Sequence, residues 1–138
     1  MEVRKVMLDT NAYTAFKRGH EEVLSILQHA DTIGMSSIVL GELTSGFLVG
    51  SKYKRNMDEL NQFLDSPHVH IFSIDEETVA FYAKIYATLR QKGKPVPTND
   101  LWIAAATLQQ GCKLCTFDNH FQSIDNLIVA TTLTQFLL

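Results

Sequence analysis

Apolar positions along the chain switch between two periods, and the switches mark the elements. Val3–Leu8 is apolar and β-capable apart from Arg4 and Lys5, and it stops at Asp9-Thr10-Asn11, polar residues able to cap a helix. A short helix over Ala12–Lys17 is expected next, with Gly19 as its stop. Val23, Ile26, Leu27 and Ala30 recur at helical spacing, so His20–Ala30 reads as a second short helix. Thr32–Ser37 is a strand, and Ile38–Val49 continues as a helix with Val39, Leu40, Leu43 and Phe47 on one side. Tyr53–Leu64 repeats the helical period and Pro67 closes it; His68–Ile74 returns to alternation as a third strand.

The second half keeps this rhythm. Asp75 is the expected N-cap of the longest helix, which ends near Gly93. That helix carries two apolar stripes: Val79, Tyr82, Ala83 and Tyr86, then Phe81, Ile85 and Leu89. One stripe suffices to pack on a sheet, and the second is either extra core or a subunit or partner surface. Lys94-Pro95-Val96-Pro97 breaks the chain, Thr98 caps a helix to Gln110, and Gly111 stops it. Cys112–Phe117 is a strand ending at Asp118, followed by a polar turn, a weaker strand near Leu127–Ala130 and a terminal helical piece. Strands alternating with one or two helices predict a three-layer α/β/α fold with a mostly parallel sheet of four to five strands. With no repeat, low-complexity segment or linker, residues 1–138 read as one domain.

Composition narrows the setting. Apolar residues make up 46% and charged residues 20% of the 138, which is globular rather than disordered. No apolar run is long enough to span a bilayer, and Met1–Lys5 lacks the pattern of a signal peptide. Two cysteines make no disulfide framework, so a reducing, cytoplasmic setting is expected. Lys and Arg number 12 against 15 Asp and Glu, a net charge of −3. That balance argues against nucleic-acid affinity from overall basicity and leaves a local basic edge or a metal to supply it.

In parallel α/β sheets ligands collect outside the carboxyl ends of the strands. Asp9 and Asp118 end strands, Asp100 lies in the first turn after Thr98, and Glu42 lies about a turn into the helix after the second strand. All four carboxylates belong to one rim if the sheet is parallel. Taken singly, Asp9 and Asp100 would serve as helix caps and Asp118 as a turn residue. Glu42 fits that account less well, because it interrupts Leu40, Leu43 and Phe47. Together the four would repel one another, and no Lys or Arg lies within three residues of any of them. A divalent cation is the simplest compensation, and oxygen donors favour Mg²⁺ or Mn²⁺ over zinc.

Four segments then acquire a common meaning. Asp9-Thr10-Asn11, Ser36-Ser-Ile-Val-Leu-Gly-Glu42-Leu, Thr98-Asn-Asp100-Leu-Trp-Ile-Ala-Ala and Thr116-Phe-Asp118-Asn-His-Phe resemble, in order and spacing, the signatures of PIN-domain ribonucleases of the VapC toxin type. The resemblance covers the whole chain. It implies a PIN-like fold and a metal-dependent endoribonuclease belonging to a toxin–antitoxin pair. It also implies a homodimer, an antitoxin that obstructs the rim, and Asp9, Glu42, Asp100 and Asp118 as the acidic metal site. Some members carry a further carboxylate after the last Asp; here Asn119 and His120 stand there.

Hydrolysis of a phosphodiester needs a nucleophile, charge compensation and help for the leaving oxygen. Asp9 and Asp100 are expected to hold the principal metal, with Glu42 and Asp118 binding it through water or positioning the attacking water. Thr116, two residues before Asp118 on the same strand face, and Thr10 and Asn11 beside Asp9 are expected to orient ligands. Lys52, Lys54 and Arg55, and then Arg90, Lys92 and Lys94, form two basic clusters that could track RNA; the second also suits a helix C-terminus. Cys112 and Cys115, three apart on a strand and without a second pair, are expected to be packing residues. Trp102 is expected in the core, and His120 is the only histidine near the rim.

Two other phosphoryl-transfer readings fail on position. A haloacid dehalogenase-like phosphatase wants a second Asp where Asn11 stands, and a receiver domain wants a lysine at a late strand's end, where Lys113 instead begins one. An RNA-processing PIN nuclease without antitoxin and a catalytically silent PIN-fold interaction module remain as alternatives.

Overall fold

The computed structural model describes residues 3–137; Met1, Glu2 and Leu138, included in the span read as one domain, lie outside it. The chain runs β1 (Val3–Leu8), α1 (Thr10–Lys17), α2 (Glu21–His29), β2 (Ala30–Ser36), α3 (Ser37–Val49), α4 (Tyr53–Leu64), β3 (Val69–Phe72) and α5 (Glu76–Lys92). It continues with α6 (Thr98–Gln109), β4 (Lys113–Cys115), a 3-10 helix over Asn119–Ser123, β5 (Val129–Ala130) and α7 (Leu133–Leu137). Five strands form one sheet in the order β3-β2-β1-β4-β5, and every pairing is parallel. The mostly parallel sheet expected from the sequence is therefore parallel throughout, flanked by helices in three layers.

Central position explains the composition of β1. Val6, Met7 and Leu8 are wholly buried, as a strand covered on both faces requires. Register then aligns the strand ends: Leu8 pairs with Met35 on one side and with Cys115 on the other. Asp9, Ser36 and Thr116 each follow one of these residues, so they emerge at one level of one rim. The order also reverses at β1: the chain moves outward through β2 and β3, then returns to place β4 on the other side. The crevice between the ends of β1 and β4 is thus the switch point where α/β sheets bind ligands.

Several boundaries differ from expectation for local reasons. Pro97, rather than Thr98, occupies the N-cap of α6, and Thr98 is the first helical residue. The strand expected over Cys112–Phe117 shortens to Lys113–Cys115, because Cys112 N–H bonds the Thr107 carbonyl while Thr116 turns to the rim. In α5 the buried face is most of the second apolar stripe with a polar residue added: Ile85 and Leu89 are buried together with Thr78, Tyr82 is half-buried between them, and Phe81 is exposed. This face packs on α6, not on the sheet. The Thr78 hydroxyl lies 2.5 Å from Gln109 Oε1, and Gln109 Nε2 donates to Asp75 Oδ1 at 2.9 Å. The start of α5 therefore lies beside the end of α6, and the two helices run antiparallel. Val79, Phe81 and Tyr86 remain exposed, and half-buried Trp102 stacks on Tyr82 at 4.0 Å between centroids. Cys112 and Cys115 are buried free thiols, pushed up to about 11 and about 12 by burial. They pack, as their spacing indicates.

Candidate metal centre

Asp9 is the best-anchored carboxylate of the rim. It is the N-cap of α1, accepting the Ala12 N–H at 2.8 Å, and only 4% of it is exposed. Its other oxygen accepts the Thr116 hydroxyl, and that hydroxyl in turn accepts the Asp118 N–H at 3.0 Å. Thr116 thus ties the ends of β1 and β4 together. Burial raises Asp9 to about 6; the bonds from Thr116 and Ala12 pull it down, and the nearby charges of Asp100 and Asp118 push it up.

Asp100 occupies the first turn of α6, where the positive end of the helix favours an anion. Burial nevertheless raises its pKa, and Asp118 and Glu42 add repulsion. Asp118 caps the 3-10 helix through the His120 N–H at 2.9 Å. Glu42, half-buried on α3, accepts the Thr10 hydroxyl at 2.5 Å and the Asn99 side-chain amide at 3.2 Å. Of the four expected carboxylates, Asp100 and Asp118 come together, with donor atoms within 4.8 Å of each other and of His120. Asp9 and Glu42 stand outside that group, close enough for Asp9 to feel the charges of Asp100 and Asp118 and for Asp100 to feel that of Glu42.

Among the described residues no Lys or Arg forms an ion pair with any of the four. Among the described residues the basic group that pairs with them is His120, whose Nδ1 lies 3.0 Å from both Asp100 Oδ2 and Asp118 Oδ1. The hydrogen bond with Asp100 raises the pKa of this imidazole. Acidic oxygen donors, mutual repulsion and the lack of a Lys or Arg counter-ion together fit a divalent cation.

The supporting residues divide. Thr10 and Thr116 hold Glu42 and Asp9, whereas Asn11 is exposed and makes no hydrogen bond to Asp9. Thr116 acts past the end of β4 and not, as the spacing implied, from a strand face shared with Asp118. Asn99 was legible only as a neighbour of Asp100; its bond to Glu42 depends on α6 meeting α3.

The basic clusters separate as well. Lys54 pairs with Asp58 at 3.4 Å, and Arg55 with Glu59 at 3.3 Å, each one turn along α4. Lys92 pairs with Asp125 at 2.5 Å. Lys52 and Lys94 are exposed and form no ion pair among the described residues. Because α5 and α6 are antiparallel, Arg90 and Lys94 share a groove of about 300 Å³ with Leu101, the residue after Asp100.

The chain matches the PIN domain over residues 6–127. It is 32% identical over 128 residues to Ribonuclease VapC2 of Rickettsia felis, covering 89% of this chain and 94% of that one. To Ribonuclease VapC4 of Mycobacterium tuberculosis it is 27% identical over 131 residues, 95% of this chain and 99% of the other. Among solved structures it resembles DNA-bound VapBC from Salmonella typhimurium, with TM-score 0.81, 26% identity and coverage of 94% and 98%. VapBC2 from Rickettsia felis bound to a promoter DNA fragment gives TM-score 0.80, 30% identity and coverage of 91% and 96%.

Proposed function

This chain belongs to the PIN domain family, and from that membership we propose that it is the RNA-cleaving toxin of a toxin–antitoxin pair, hydrolysing phosphodiester bonds at a Mg²⁺- or Mn²⁺-dependent site. The observation that carries the cation is the meeting of Asp100 and Asp118 at the rim, with Asp9 and Glu42 near enough to repel Asp100 and with no Lys or Arg paired to any of the four among the described residues. Relatives named as ribonucleases support the reaction, and VapBC complexes among its structural relatives support an antitoxin partner. Exposed Val79, Phe81 and Tyr86 on α5 support a homodimer. Among the described residues no helix is long and apolar enough to cross a membrane, which accords with work in the cytoplasm.

Asp9 and Asp100 would hold the principal cation, with Glu42 and Asp118 completing the site directly or through water. When bound, such an ion supplies charge compensation at the phosphate and makes water more acidic. The protein's own part is positioning. Thr116 and the Ala12 N–H fix both oxygens of Asp9, so that carboxylate presents one orientation. Thr10 and Asn99 each occupy one oxygen of Glu42, leaving lone pairs able to orient a water toward the phosphorus.

The direct test is incubation of the purified chain with single-stranded RNA in Mg²⁺, in Mn²⁺ or in excess EDTA. Cleavage should require an ion and leave no cyclic phosphate, because water rather than the adjacent 2′-hydroxyl attacks. Undiminished cleavage in EDTA would remove the cation from the reaction.

RNA affinity should come unequally from the two basic clusters. Replacing Arg90 and Lys94 together with Gln should weaken RNA binding and lower the slope of log affinity against log salt by roughly 1.4, at about 0.7 per phosphate contact. Replacing Lys54 and Arg55, already paired with Asp58 and Glu59, should change that slope less. Equal slopes for both variants would place the RNA path elsewhere.

A further inference from the structure

The carboxylates are not the only donors at the rim. His120 follows Asp118 at the start of the 3-10 helix, and Asp118 Oδ1 accepts its backbone N–H at 2.9 Å. This turn folds the imidazole back over two acids. Nδ1 comes to 3.0 Å from Asp100 Oδ2 and 3.0 Å from Asp118 Oδ1. A ring nitrogen carries at most one hydrogen, so it cannot donate fully to both oxygens at once. The same position suits a lone pair pointing at a shared ion.

Asp100, Asp118 and His120 are also, among the described residues, the group of His, Cys, Asp and Glu side chains whose donor atoms all lie within 4.8 Å of one another. His120 Nδ1 thus stands with one oxygen of each carboxylate in a group compact enough that all three side chains could offer a donor to one ion.

We infer that His120 is a direct ligand of the proposed cation, making the site a mixed nitrogen–oxygen set that prefers a first-row transition ion to Mg²⁺. Mg²⁺ favours oxygen donors and keeps its water, whereas an imidazole adds affinity for transition ions. His120 would then alter the choice of ion rather than only adding charge. This inference rests on the cation-dependent reading of the rim.

The test uses the full chain loaded with Mn²⁺ as the probe. Pulsed electron paramagnetic resonance reads whether an imidazole nitrogen is bonded to the ion, and titration gives Mn²⁺ and Mg²⁺ affinities. Wild type should show the nitrogen coupling, and His120→Ala should lose it. The Mn²⁺ dissociation constant should rise about tenfold or more in that variant, with little change for Mg²⁺. His120 is half-exposed, so the fold should survive, and His120→Gln repeats the measurement with a side chain closer in size.

Mn²⁺ bound without nitrogen coupling would overturn the inference while leaving the carboxylate site standing, with His120 a counter-ion that metal displaces. Coupling that persists in His120→Ala, or equal weakening of both ions, would overturn it too. Failure of wild type to bind either ion more tightly than Asp100→Asn would remove both this inference and the cation-dependent reading.

Discussion

Asp100→Asn is expected to lower RNA cleavage on the order of 10³-fold or more while the folded protein survives. The substitution keeps the shape of the side chain and an oxygen to face His120, but removes the negative charge. In the native chain that charge is half-buried and repelled by Asp118 and Glu42, as its raised pKa records. Losing it therefore relieves about as much as it forfeits at the α6 N-terminus, and stability should change by no more than about 1 kcal/mol. RNA affinity without metal should stay level or improve, since one fewer negative charge faces the phosphates. The combination of intact fold, undiminished RNA binding and lost cleavage separates a reacting site from a structural acidic cluster. Gel assays of cleavage, fluorescence-anisotropy binding and thermal melts on one preparation supply all three readings. Full activity in Asp100→Asn would sink the proposed site.

The rim was legible in the sequence because its residues are tied to strand ends, and strand ends are what hydrophobic patterning locates best. Once the sheet is parallel, Leu8, Met35 and Cys115 fall into register and carry Asp9 and Thr116 to one level. Glu42 stood out as a charge within an apolar helix, and Asn99 and Thr10 hold it in the structure. His120 was visible only as a residue near the rim. Its role depends on a 3-10 turn that swings the ring toward Asp100, and no periodicity encodes the sense of that turn. The buried face of α5 was legible only in part, through Ile85 and Leu89. It includes Thr78, a polar residue whose partners Asp75 and Gln109 satisfy it in the core, so an apolar count passes over it. Val79 and Phe81, which that count favours, face outward.

Asp9→Asn should behave oppositely toward stability in the absence and presence of divalent ions. Burial raises the native Asp9 to about 6 from an unfolded value near 3.8. Between those values the folded chain holds a proton that the unfolded chain has released, so stability falls as pH rises through this window. The loss is complete above about pH 7 and is on the order of 2–3 kcal/mol. An Asn there cannot ionise, yet it can still accept from Ala12 and reach Thr116. In EDTA, Asp9→Asn should match wild type near pH 4 and melt several degrees higher at pH 7.5. With Mn²⁺ at about 100 times its dissociation constant, wild type should gain roughly 2.7 kcal/mol that the variant does not. The order of melting temperatures should then converge or invert. The repulsion on a buried carboxylate would thus be relieved by the proposed ion, and folding stability would be coupled to metal occupancy. A variant that melts below wild type in EDTA at both pH values would show that Asp9 is stabilised chiefly as a cap, and that its ionisation costs the fold nothing.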